Sequence, residues 1–174
     1  MAITSHLREG VHLQLTEARN FCSETESSCS DLRRRLEECA RSRKPERAGD
    51  GVAGRYHLLP GDAFETDFGS GYDLVLIPNF LHHFDPPTCT TFMRKVHSAL
   101  EPGGRAAIAE FVPNSDRVSP PMPDAFSMMM LANTPSGDAY TFAELENISK
   151  DPGFARVELA PTEIGLKRLV IVYR

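Results

Sequence analysis

The sequence predicts an α/β fold: a mostly parallel open sheet closed by an antiparallel hairpin and preceded by a helical N-terminal segment. Three observations predict it. Residues 74–78 (LVLIP) form an apolar run between a polar turn and Asn79, the pattern of a strand buried on both faces. From Arg55 onward, short apolar runs alternate with segments of helical period. At the C-terminus two strand-like stretches, 154–159 and 166–173, follow one another with only a turn at 161–165 between them. With no helix to cross over, they form a hairpin at a sheet edge.

A chain of 174 residues carries one domain with a real core. A net charge of −5 argues against a general nucleic-acid binder, which needs a basic face. No run of apolar residues is long enough to span a membrane. Glu9, His12 and Gln14 interrupt the only apolar stretch near the N-terminus, so no leader pattern forms there. The four cysteines, Cys22, Cys29, Cys39 and Cys89, make no CxxC and no metal-like pairing with the histidines. They read as reduced thiols of a cytoplasmic protein.

Taken in order, residues 1–49 form a helical segment and linker of unknown role, and residues 50–174 form the α/β portion. Leu7, Val11, Leu15 and Ala18 fall at helical spacing. A second helix is predicted over 30–40, capped by Ser30 or Asp31, with Leu32, Leu36, Cys39 and Ala40 on one face and a charged, solvated face opposite. Residues 41–54 read as a linker. A short strand is expected at 56–59, ended by Pro60-Gly61, and the buried strand at 73–78. Asp85 caps the next helix, with Pro86 and Pro87 in its first turn, and Pro102-Gly103-Gly104 stops it. A strand at 105–112 carries one carboxylate, Glu110. The helix at 123–133 has a broad apolar face whose methionines fill core or, less commonly, line a pocket. Thr141 and Glu144 make a capping box for a helix ending near Lys150, before Asp151-Pro152-Gly153.

In order, GDAF (61–64), YDLVLIPNFLHHFDP (72–86), SALEPGG (98–104), RAAIAEFVP (105–113) and YTFAELENISKDPGF (140–154) resemble the class I S-adenosylmethionine-dependent methyltransferases. The resemblance is closest to the small-molecule O-methyltransferases and covers about residues 50–174. It implies an incomplete Rossmann-like methyltransferase sheet and S-adenosylmethionine as cofactor. In the family the acid of GDxF accepts a hydrogen bond from the adenine amine, so the resemblance assigns Asp62 that role, with Ala63 and Phe64 packed on the ring. A carboxylate suits an amine donor because it only accepts. Taken without its neighbours, Asp62 is a turn former after Pro-Gly. Pro78 and Asn79 match the loop passing the sulfonium end. His82 matches the general base of plant-type O-methyltransferases, which read His-Asp-Trp where this chain reads His82-His83-Phe84; a structural histidine is the competing reading. Glu110 matches a glutamate near the active site that orients base or substrate, and it would be costly to bury unpaired.

The family's glycine-rich cofactor turn and ribose acid have no counterpart in the sequence; Gly49, Gly51 and Gly54 follow no apolar strand. Two or three lost charge-assisted hydrogen bonds, about 1.5–3 kcal/mol each, predict weak or absent unassisted cofactor binding. In the family the strand at 73–78 pairs with the first strand. Without it that strand is an exposed edge, to be covered by residues 56–59, by a second copy or by a partner chain. Two functions follow: methyl transfer to a small-molecule hydroxyl, or a non-catalytic methyltransferase-like remnant that binds a partner through the sheet edge and the charged helix. A metal site on His82, His83 and Asp85 lacks ligand spacing.

Overall fold

A computed structural model of the chain describes residues 2–7, 11–16, 59, 61–164 and 166–174, with the backbone alone for 2–7, 11–16 and 162–164. The helix expected at 30–40, the linker at 41–54 and residues 56–58 lie outside the described residues. Leu59 is described but belongs to no strand; it packs against the core.

The described elements are β1 (Ala2–Leu7), β2 (Val11–Thr16), β3 (Tyr72–Pro78), a 3-10 turn (Leu81–His83), α1 (Pro86–Ala99), β4 (Leu100–Glu110), α2 (Pro121–Asn133), α3 (Phe142–Lys150), β5 (Arg156–Ile164) and β6 (Lys167–Tyr173). They build a six-stranded sheet in the order β1-β2-β3-β4-β6-β5. β2, β3 and β4 run parallel, while β1 runs antiparallel to β2 and β6 runs antiparallel to both of its neighbours, β4 and β5. The α/β class and the C-terminal hairpin are as the sequence predicts.

Two expectations for the N-terminus are corrected. The spacing of Leu7, Val11 and Leu15 is a strand pattern and not a helical one: β1 and β2 form a hairpin in which Leu7 lies opposite Val11. A spacing of four fits a helix face, but being even it also fits one face of a strand. The alternation Val11-His12-Leu13-Gln14-Leu15-Thr16 is the deciding signal. The second correction concerns the edge. β3 is covered by β2, in parallel register through His12↔Leu74, Leu13↔Val75 and Gln14↔Leu76, and is not an exposed edge. The chain's own first segment occupies the edge.

β3 is also less symmetric than its apolar run predicts. Val75 and Ile77 are fully buried in a core cluster that also holds Phe92, Met93 and Val96 of α1 and Leu145 and Ile148 of α3, whereas Leu74 and Leu76 on the opposite face are half-buried. Each fully buried aliphatic side chain contributes about 1.5–3 kcal/mol.

The Asp85 side chain caps α1 by accepting from the Thr88 backbone N–H at 2.8 Å, and two prolines occupy the first turn, where no donor is missed. β4 begins at Leu100, earlier than expected, because a register shift lets Leu100 pair with Tyr72 before Arg105 pairs with Leu74. Gly104 makes this close approach work: a Cβ there would lie 2.9 Å from the Tyr72 carbonyl oxygen. β5 likewise runs past the expected turn to Ile164, absorbing Pro161 in a register shift between Leu159 and Glu163. That is where a strand tolerates proline. The capping box of α3 forms as predicted. Of the methionines on α2 only Met130 is buried; Met122, Met128 and Met129 are exposed, as is Leu131, so core filling does not describe the other methionines.

Candidate active site

β3 and β4 are parallel, so their C-terminal ends, Pro78 and Glu110, meet at one edge of the sheet. An open α/β sheet places its ligands there. Beyond Pro78 the chain turns sharply. Asn79 adopts a left-handed φ of 52°, tolerable for asparagine, and its N–H donates to the Ala109 carbonyl at 3.0 Å. The turn aims the next two amides at Glu110: the N–H groups of Phe80 and Leu81 donate to Oε1 at 2.8 and 3.0 Å. His82 Nδ1 meets Oε2 at 2.5 Å. Both side chains are buried, each residue 3% exposed.

Glu110 is therefore buried but not unpaired. Its carboxylate ties the end of β4 to the 3-10 turn after β3 and takes three donors. Because a carboxylate only accepts, Nδ1 of His82 carries the hydrogen of this pair, which in the neutral ring leaves the lone pair on Nε2. This arrangement holds an imidazole in one tautomer and one orientation. The His82 ring meets Phe126 of α2 edge-on at 4.7 Å between centroids, and Phe126 stacks on Phe111 at 4.3 Å, giving the imidazole an apolar wall.

The turn is braced from behind. Cys89 Sγ of α1 donates to the Leu81 carbonyl at 3.2 Å, and Tyr140 Oη donates to the Phe84 carbonyl. Burial, reinforced by the Glu110 charge, pushes the Cys89 thiol up to about 12, so it is a structural donor and not a nucleophile. Gly137 lies against the same turn; a Cβ there would come 2.3 Å from the His82 carbonyl oxygen.

The second group of predicted residues lies on the turn before β3. Asp62 is exposed; its Oδ1 accepts from the Phe64 N–H at 2.8 Å, and its carbonyl accepts from the N–H groups of Glu65 and Thr66. Asp62 is thus a turn former, and its exposure leaves the carboxylate open to a ligand. Ala63 is buried. Phe64 packs its ring against Phe84 at 5.0 Å and Phe92 at 5.7 Å, in a cluster with Phe80. That cluster joins the Asp62 turn to the His82 turn, but Asp62 itself makes no contact with the His82–Glu110 pair. The exposed Asp62 carboxylate can accept from an amine donor such as that of adenine, while among the described residues no group is placed for a ribose.

A family model described as an O-methyltransferase domain matches residues 38–155, more than half of the chain. The chain belongs to the O-methyltransferase family. It is 32% identical over 110 residues to 3-hydroxy-5-methyl-1-naphthoate 3-O-methyltransferase of Streptomyces sahachiroi, a match covering 63% of this chain and 32% of that one. It is 31% identical over 123 residues to the S-adenosyl-L-methionine-dependent methyl transferase PigF of a Serratia species, covering 70% and 35%. Among solved structures, a protein of Nostoc punctiforme described as a candidate O-methyltransferase is 47% identical, with a TM-score of 0.69, over 79% of this chain and 40% of that one. The chain spans about a third of the length of these curated relatives.

Sequence reasoning about this O-methyltransferase domain missed Tyr140 and Gly137. They left no signal, because their partners are backbone carbonyls distant in sequence.

Proposed function

We propose that this chain transfers a methyl group from S-adenosylmethionine to a hydroxyl of a small aromatic molecule, with His82 as general base and Glu110 as its positioning partner. The observation that carries the reading is the buried His82–Glu110 pair at the shared C-terminal end of two parallel strands. When bound, the cofactor supplies an electrophilic methyl group. Asp62 holds its adenine amine, and Pro78 and Asn79 border its reactive end. His82 Nε2 accepts the acceptor hydroxyl's proton as the oxygen–methyl bond forms, and Glu110 stabilises the resulting imidazolium. The remaining catalysis is alignment. Phe111 and Phe126 offer an apolar wall for a planar ring beside the base, and a naphthoate-methylating relative agrees with such an acceptor.

The competing reading, a non-catalytic partner-binding remnant, loses one of the two surfaces it would use, because β2 already occupies that edge of β3. Calorimetric titration with S-adenosylhomocysteine decides between them. Binding that is lost in Asp62→Ala supports the enzyme; no heat up to about millimolar ligand overturns it.

A further inference from the structure

Beneath the Asp62 turn lies a cation that neither the sequence reading nor the reaction has used. Lys95 leaves the middle of α1 on the flank of its apolar stripe. Its Nζ donates to three carbonyls of the turn: Ala63 at 3.0 Å, Phe64 at 3.0 Å and Thr66 at 2.6 Å. An ammonium has three hydrogens and no acceptor, so these three bonds saturate it. The same group sits 4.5 Å from the centroid of the Phe68 ring. Three carbonyls converging on one point fix the turn as a unit, and the turn presents Asp62 on its exposed side. Burial pushes the Lys95 ammonium below its ordinary value, and the charges of Asp67, Asp62 and Glu65 work against that shift without cancelling it.

We propose that Lys95 is the positioning residue of the adenine-side turn, holding its carbonyls so that the Asp62 carboxylate meets an exocyclic amine in one fixed place. The proposal rests on the reading of Asp62 as the adenine acceptor. Lys95→Met keeps the aliphatic stem over Phe68 and removes the ammonium. Lys95→Arg keeps the charge, but its planar fork cannot converge on three carbonyls.

The test has two arms on the full chain. The first is amide hydrogen exchange at Phe64, Glu65 and Thr66. The second is titration with S-adenosylhomocysteine and with its inosine counterpart, in which the adenine amine is replaced by an oxygen. The wild-type chain is expected to favour the adenine ligand by about tenfold or more, the worth of one charge-assisted hydrogen bond. In both variants exchange at the turn should quicken by about tenfold and the preference should fall towards unity. A merely structural lysine would lower the melting temperature yet leave the preference intact; that result, or unchanged exchange, overturns the proposal. A wild-type chain that binds neither ligand overturns the adenine reading of Asp62, and the exchange arm then decides the clamp alone.

Discussion

Glu110 combines two tasks that substitution can separate. Oε1 satisfies two backbone amides, while Oε2 fixes the His82 tautomer. Glu110→Gln keeps an oxygen for the amides but turns an NH₂ toward Nδ1, which then must accept; the imidazole is left with its hydrogen on Nε2, the wrong side for a base. Methyl transfer should fall by about 10²- to 10⁴-fold with the fold retained, and the pH–rate profile should lose the limb due to the base. Steady-state rates across pH, alongside a thermal melt, check this. Glu110→Ala should instead destabilise by about 3–5 kcal/mol, since it strands His82 and two amides together. A second residue-scale prediction concerns Cys89. A buried thiol raised to about 12 should resist alkylation at about pH 8 in the folded protein and react fully in denaturant, read by mass mapping of its peptide. A rapidly labelled Cys89 in the native state would sink the view that it is a buried brace.

At the scale of elements, the loops around the site are anchored through the first turn of α3. Glu144 takes the Thr141 N–H and hydroxyl at 2.8 Å each, and Arg117 reaches Glu144 at 2.7 Å and Asp138 at 2.9 Å. Thr141→Ala should cost about 1 kcal/mol, seen as a lower urea midpoint. Burial alone would raise the Glu144 carboxyl, but hydrogen bonds from Thr141 and then Arg117 outweigh it and hold it below its ordinary 4.5. A depressed folded value means that the stabilisation is complete above 4.5 and is lost as pH falls through the folded value. Glu144→Gln should therefore flatten the acid-side loss of stability, measured as urea midpoints between about pH 6 and pH 3. These local devices were legible beforehand: Thr141 with Glu144, and Asp85 with two prolines, are signals within four residues of one another. The His82–Glu110 pair was legible only as two separate candidates, because the two are 28 positions apart and meet only through a parallel register. The clamp at Lys95 was not legible, since its three acceptors are backbone carbonyls and no side-chain type marks them.

At the scale of the whole molecule, the sheet depends on how the N-terminal hairpin is used. The apolar run of β3 correctly announced a strand that needs a neighbour on each side. What hid the neighbour was an even spacing that serves helix and strand alike, in a segment where only the alternation from Val11 to Thr16 discriminates. β2 pairs with β1 on one side and β3 on the other, and Leu13 sits in register between Ser5 and Val75. A proline at such a position removes a ladder donor and is poorly tolerated away from an edge. Leu13→Pro should therefore release the hairpin and present the edge of β3, with the apolar sequence Leu74-Val75-Leu76-Ile77, to other molecules. Sedimentation velocity across a concentration series should show association in the variant that is absent from the parent. The more conservative Gln14→Ala, which leaves the ladder intact, should sediment as the parent does. If Leu13→Pro stays as monodisperse as the parent, with its urea midpoint unchanged, then β2 is dispensable to β3, and the edge is managed by another part of the chain.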